Sequence, residues 1–274
     1  MHDLLINPAF QAGVAPFAVA LPVGLMLRRA GWFWAGLALS AAFAVTVALT
    51  VGFQFQPWTS TRKIIALGFG AAGAGLLLDL YPWDRRSVSA LVFAAGAAAA
   101  VWVIWPVVQR RDVWQGAILI VPAALYGGWC AAAMEGLRSR PIAGAIAAVS
   151  LGIGSGAVTL LGASALLGQM GLAVGAAAGA LALLVCFGRK TEIGSLAMLP
   201  AGVVLGLVGI GGLIYAKVPW YSLVLLAWVP VCGWVPVPSS WPRWLQSGAV
   251  LVLTGVPAAI AIWLVWRVAG GVPL

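Results

Sequence analysis

Ten apolar stretches divide this chain almost from end to end. Each is about 18 to 25 residues long, which at ~1.5 Å rise per residue is enough for an α-helix to cross the ~30 Å hydrocarbon core of a bilayer. Charged residues, prolines or aromatic residues separate most of them. The sequence therefore predicts an all-α, polytopic integral membrane protein with about ten transmembrane helices, near residues 9–27, 31–52, 63–80, 88–108, 112–134, 142–166, 169–187, 195–215, 219–237 and 245–266.

Composition excludes a water-soluble globule, because 63% of the residues are hydrophobic and only 8% are charged. The connections are too short to fold separately, so residues 1–274 are expected to form a single transmembrane domain. Lys and Arg number 15 against six acidic residues, and most of the basic residues fall in pairs between the apolar stretches. This placement indicates loop charges that orient helices and meet anionic lipid, and it does not favour nucleic-acid binding.

The basic residues also predict an orientation. Segments after odd-numbered helices carry nine Lys and Arg, among them Arg85, Arg189 and Lys190, and segments on the opposite side carry six. The positive-inside rule then places both termini outside the cytoplasm. We expect the inner membrane of a bacterium, with many of the 15 tryptophans forming belts at the two headgroup levels.

Residues 142–187 allow two interpretations. This stretch contains no Lys, Arg, Asp or Glu, and only Leu167, Gly168 and Gln169 divide it. A pair of spanning helices joined by a tight turn and a re-entrant pair both fit this pattern.

The two halves of the chain, residues 1–137 and 138–274, resemble each other. Val121-Pro122-Ala123-Ala124 in the fifth stretch matches Val256-Pro257-Ala258-Ala259 in the tenth, and the glycine spacing of the third stretch matches that of the eighth. Five helices per unit would force an inverted repeat, a plan similar in architecture to the drug/metabolite transporters, although no motif of that family is present. Chance is the alternative, since glycine- and alanine-rich segments align with almost anything.

Small residues and prolines predict how the helices pack. Glycine ridges let helix backbones approach closely, so we expect the third and eighth helices to lie inside the bundle. Pro122 and Pro257 lie within helices and predict kinks at matching positions. The glycines of the two predicted ridges are Gly70, Gly73 and Gly75 in the third helix and Gly206, Gly209 and Gly211 in the eighth.

Three polar residues are candidates for substrate binding. Asp79 is the one acid that the sequence pattern places inside a membrane segment and not in a loop or at the start of a stretch, and such acids often face a cavity. The alternative is an interfacial Asp79 paired with Arg85 or Arg86. Gln115 and Gln246 begin matching stretches, and their amides could line a path for a neutral polar solute.

Motifs for catalysis and for metal or cofactor binding are absent from the sequence. His2 is the single histidine, the three cysteines lack metal-ligand spacing, and no phosphate loop occurs. We therefore expect no metal, no cofactor and no enzymatic activity.

Two functions fit these observations. The first is a small transporter or flippase for a neutral, amphipathic or lipid-like substrate, since intramembrane charge is scarce and nearly all of the mass lies in the membrane. The second is a non-catalytic subunit or assembly partner of a larger membrane complex, since glycine faces are available to neighbouring helices. As partners besides the lipid bilayer, we expect a second copy of the chain in a homodimer or a larger membrane complex.

Overall fold

The computed structural model describes residues 7–31, 33–81, 83–188 and 193–269, so His2, Arg189 and Lys190 lie outside the described residues. Ten apolar helices follow one another along the described chain. They are α1 (Phe10–Leu27), α2 (Phe33–Thr50), α3 (Ser60–Leu80), α4 (Arg85–Val108), α5 (Val113–Gly136), α6 (Pro141–Leu161), α7 (Ala165–Phe187), α8 (Ser195–Tyr215), α9 (Trp220–Gly233) and α10 (Arg243–Val268).

The prediction of an all-α, polytopic membrane protein is confirmed. Nine helices in the described chain are long and apolar enough to cross a membrane, and that part contains no strand. The exception is α9, whose 14 residues are fewer than the 19-residue stretch predicted there. Its helix ends early because Pro236 and Pro238 follow closely, and a proline cannot donate the helical hydrogen bond and disfavours helical geometry in the residue before it.

The helix at the centre of the bundle is α8. It packs mainly against α3 and α5, with further contacts to α2, α4, α6, α7 and α9. Every residue from Ser195 to Gly212 is buried. Gly202 explains part of this close packing, since a Cβ at that position would lie 2.8 Å from the Cys130 carbonyl oxygen of α5. The interior position expected for the eighth helix is observed.

The third helix differs from its prediction. It packs mainly against α8, and its contact face is formed by Gly68 and Gly75. Gly70 and Gly73 were predicted to pack inside the bundle, but both are exposed and a Cβ there would meet no other part of the chain within 4 Å. The physical reason is that α3 lies at the edge of the bundle, so only one of its faces is covered.

The remaining predicted ridge glycines lie at helix contacts. A Cβ at Gly75 would lie 2.5 Å from the main-chain oxygen of Ser195, and one at Gly206 would lie 3.0 Å from Cβ of Cys130. At Gly209 a Cβ would lie 2.8 Å from the ring of Tyr126. At Gly211 it would lie 3.0 Å from the side chain of Leu167.

Residues 142–187 form two full-length helices joined by a tight turn. The sequence allowed this arrangement and a re-entrant pair, and the structure has the first. The turn between α6 and α7 contains Ala163 at φ 72°. The two backbones then approach closely, since a Cβ at Gly152 would lie 2.5 Å from Cα of Gly175.

Corresponding helices of the two halves have different neighbours. In an inverted repeat of five helices, α3 corresponds to α8, α10 to α5 and α1 to α6. Because α8 packs against α5 and α6, α3 should then pack against α10 and α1. The described residues show no comparable packing of α3 against either helix. The duplication stays a prediction that the helix contacts do not support.

Candidate functional site: a polar cavity and an apolar groove along α5 and α9

Asp79 lies in the last turn of α3 and caps the start of α8. Its two carboxylate oxygens accept hydrogen bonds from the main-chain N–H groups of Ser195 and Leu196, each at 2.8 Å. The first N–H groups of a helix have no partner within the helix, and a carboxylate there also complements the helix dipole. Asp79 therefore joins the two halves of the chain, and it pairs with neither Arg85 nor Arg86. Substrate binding by Asp79 stays a prediction.

Gly194 makes this cap possible. Its φ of +76° is a conformation that favours glycine. A Cβ at this position would also lie 2.5 Å from one carboxylate oxygen of Asp79. Any other residue would therefore crowd the Asp79 carboxylate as well as strain the backbone.

Glu135 is a buried acid that the sequence analysis missed. It lies in the last turn of α5 with only 3% of its surface exposed. Its Oε1 accepts a hydrogen bond from the Ser195 hydroxyl at 2.5 Å and lies 3.1 Å from Nη1 of Arg138. Arg138 also donates to the Ser195 hydroxyl oxygen at 2.8 Å. The fifth stretch was predicted to end at residue 134, which left Glu135 in a loop, although its spacing of three residues from Arg138 is the signal of a helical ion pair.

A polar cavity of about 320 Å³ opens beside this cluster. Arg85 and Arg140 lie in its wall; Arg85 donates to the main-chain oxygen of Gly136 at 3.4 Å, and Arg140 donates to that of Trp234. Within the described chain neither arginine has an acidic partner. The cavity is lined by Arg85, Val88, Ser89, Ala132, Glu135, Gly136, Arg138, Arg140 and Trp234.

Asp84, the acid next to Arg85, is engaged elsewhere. Its carboxylate accepts hydrogen bonds from the Ser87 main-chain N–H at 3.1 Å and the Ser87 hydroxyl at 3.2 Å. These bonds, the main-chain one above all, hold the pKa of Asp84 below its usual value. Asp84 thus begins α4 as an N-cap and leaves Arg85 without an acidic partner.

An apolar groove of about 560 Å³ runs along the same side of the bundle. It lies between α5, α8 and α9, and its lining is almost entirely hydrocarbon and aromatic. The lining residues are Pro122, Ala123, Leu125, Tyr126, Trp129, Ile210, Leu213, Trp220, Leu223, Val224, Ala227, Trp228 and Val231.

The groove and the cavity lie end to end along α5 and α9. Trp129 is the groove residue of α5 nearest the cavity in sequence, and Trp234 belongs to the cavity wall. Their ring centroids are 6.4 Å apart, and the Trp129 indole donates to the Ala227 carbonyl at 3.0 Å. The tryptophan pair therefore stands where the polar cavity meets the apolar groove.

The other two predicted site residues line neither the polar cavity nor the apolar groove. Gln115 is exposed at the start of α5, at the opposite end of that helix from Glu135. Gln246 donates to the main-chain oxygens of Ser239 and Trp241, at 3.4 and 2.8 Å. These hydrogen bonds hold the segment that leads into α10. Substrate binding by either amide stays a prediction.

The two prolines predicted to kink helices lie inside them. Pro122 belongs to α5 and lines the groove, and Pro257 is buried in α10. Both helices continue past the proline, and a bend at each stays a prediction.

Comparison with known proteins gives no family for this chain: no protein-family model matches it, and no curated protein shows significant similarity to it. Among the described residues, no three His, Cys, Asp or Glu side chains come together as potential ligands of a metal ion.

Proposed function

We propose that this protein is a transporter or flippase that moves an amphipathic, lipid-like molecule between the faces of the membrane. The observation that carries the proposal is the polar cavity that adjoins a lipid-facing apolar groove along α5 and α9. An amphipathic molecule has one part suited to each environment. The same pair of helices can therefore contact its head and its tail at once.

The energetic obstacle to lipid translocation is the polar head. Moving an unpaired polar or charged group into hydrocarbon costs several kcal/mol, whereas the tail stays in an apolar environment throughout. A protein accelerates the movement when it gives the head polar partners below the membrane surface. Beside the end of α5 and the start of α8, the buried Glu135 and the partly exposed Arg138 provide such polar groups where the path begins.

The short α9 supports the same function. Its 14 residues extend only about 21 Å at ~1.5 Å per residue, less than the ~30 Å hydrocarbon core. A helix that does not fill the bilayer depth leaves a place where a head group meets less hydrocarbon.

Lipid movement in proteoliposomes tests the proposal. A phospholipid with a fluorescent head is incorporated in both leaflets, and a membrane-impermeant reductant quenches the label in the outer leaflet. We expect quenching to go beyond the outer-leaflet fraction when the purified protein is present. Quenching equal to that of protein-free vesicles would contradict the proposal.

A second function, assembly with another membrane helix, is favoured by one observation. Gly70, Gly73, Ala74 and Leu77 form one exposed face of α3, with the spacing of a helix–helix contact. We propose a second copy of the chain or another membrane subunit as the neighbour. Mass measurement after native purification distinguishes these partners, and a monomer in every mild detergent would count against both.

A further inference from the structure

We infer that the polar cavity binds the phosphate of an anionic phospholipid whose acyl chains lie in the adjoining groove. The inference rests on the proposed function only for what happens to the lipid afterwards. Binding itself is argued below from charge, depth and shape.

The charge of the cavity favours an anion. Its wall carries Arg85, Arg138 and Arg140 against one acid, Glu135. Arg138 is committed to Glu135 and Ser195. Arg85 and Arg140 each donate to one main-chain carbonyl, and a guanidinium has five N–H groups. Their remaining donors suit a phosphate, because the planar fork matches two phosphate oxygens.

The depth of the cavity fits a headgroup. Arg85 begins α4, Gly136 ends α5 and Arg140 directly precedes α6, so the cavity lies at one end of these helices. Indole side chains such as that of Trp234 favour this level of a bilayer. A phosphate bound here would stand where membrane lipids already carry theirs.

The groove fits the acyl chains. Its wall on α9 runs from Trp220 to Val231, about 16 Å at ~1.5 Å per residue, which is roughly one leaflet of the ~30 Å core. Trp129 and Trp234 separate this apolar wall from the arginines. One lipid molecule can therefore contact both regions while it stays in its leaflet, with its chains along the helices.

The sequence predicts a neutral, amphipathic or lipid-like substrate, and this ligand is lipid-like but carries a negative charge. That expectation counted charges inside apolar stretches, whereas Arg85 and Arg140 lie at helix starts. The fold brings these two helix starts to one cavity, which gives the headgroup region a net positive charge.

Native mass spectrometry of the purified chain tests the inference. The protein is mixed with equal concentrations of a phosphatidylglycerol and a phosphatidylcholine of the same acyl chains, and retained lipid is counted. We expect the phosphatidylglycerol to be retained preferentially. The double variant Arg85→Gln/Arg140→Gln should lose this preference, with retention lower by about tenfold.

Arg86→Gln is the matched control, because Arg86 is exposed on α4 and lies outside the cavity wall. It should keep the wild-type preference. Equal retention of the two lipids by the wild type, or an equal loss in Arg86→Gln, would overturn the inference. If the double variant does not fold, the single Arg85→Gln variant is compared with Arg86→Gln in the same way.

A free phosphate ion offers the arginines the same oxygen atoms as the phosphate of a lipid. Inorganic phosphate or glycerol phosphate in excess should leave phosphatidylglycerol bound, since neither fills the groove, and displacement by either would overturn the assignment to a lipid.

Lipid binding and lipid movement are measured separately. Selective retention without translocation would contradict the proposed function alone, and translocation without selectivity would contradict this inference alone.

Discussion

Asp79 accepts two hydrogen bonds from the main chain of α8, so its carboxylate is a part of the fold. Both oxygens are used at 2.8 Å, and the neighbouring Gly194 has the backbone conformation and the space that this contact requires. Ser195 extends the contact to Glu135 and Arg138. One helix start thus connects α3, α5 and α8 at a single point.

Removing the Asp79 cap should destabilise the protein. Asp79→Ala leaves the N–H groups of Ser195 and Leu196 without their partners, and we expect it to lower the free energy of unfolding by about 1–2 kcal/mol. Asp79→Asn keeps one acceptor oxygen and should lose less. Unfolding in detergent micelles, followed by tryptophan fluorescence, measures both.

The control for this prediction is Asp112→Ala. Asp112 precedes α5 as its N-cap residue, but its side chain makes no capping hydrogen bond. We expect almost no change there. An Asp79→Ala variant as stable as Asp112→Ala would show that the cap contributes nothing.

The candidate site could be predicted from the sequence only in part. Asp79 was identified as unusual because an acid in a membrane segment is costly, but its partners are main-chain groups 116 and 117 residues away, which no local pattern reveals. Glu135 was missed because hydropathy located the end of α5 one residue before it. The meeting of Arg85 with Arg140 depends on tertiary packing alone.

At the scale of elements, α3 and α8 have similar glycine spacing and different surroundings. Hydropathy and length predicted that both helices exist, because a ~20-residue apolar stretch has few alternatives in a membrane. Glycine spacing did not predict which face is covered. Gly68 and Gly75 meet α8, whereas Gly70 and Gly73 lie on the open face of the same helix.

Replacing glycine by leucine should distinguish a packed helix face from an open one by the loss of stability. Gly209→Leu would bring a side chain against Tyr126 and Leu223, whose atoms lie within 2.9 Å of a Cβ at that position. Such overpacking costs about 1–3 kcal/mol. Gly73→Leu is the matched substitution on the open face, and we expect the monomer's melting temperature in detergent to stay unchanged. Equal losses in both variants would contradict the assignment of faces.

At the scale of the whole molecule, the short α9 decides the topology. If α9 crosses the membrane, an even number of crossings places both termini on one side. The nine-to-six excess of Lys and Arg then predicts that the side of Arg85, Glu135 and the polar cavity is cytoplasmic.

Reporter fusions test this arrangement. Fusions ending at Lys217, before α9, and at Ser239, after it, should report opposite sides, with Ser239 cytoplasmic. A fusion at Arg85 should also report the cytoplasm. The same signal from Lys217 and Ser239 would mean that α9 does not cross the membrane.

The central claim is that the groove along α5 and α9 is the path of a lipid, and blocking the groove tests it most directly. Ala227 lies in the groove wall, and Ala227→Trp would fill part of its volume. Ala95→Trp adds the same side chain on an exposed face of α4, outside the groove. In proteoliposomes containing folded protein, we expect Ala227→Trp to slow phospholipid translocation severalfold and Ala95→Trp to leave it at the wild-type rate. Equal rates for the wild type and both variants would contradict the account.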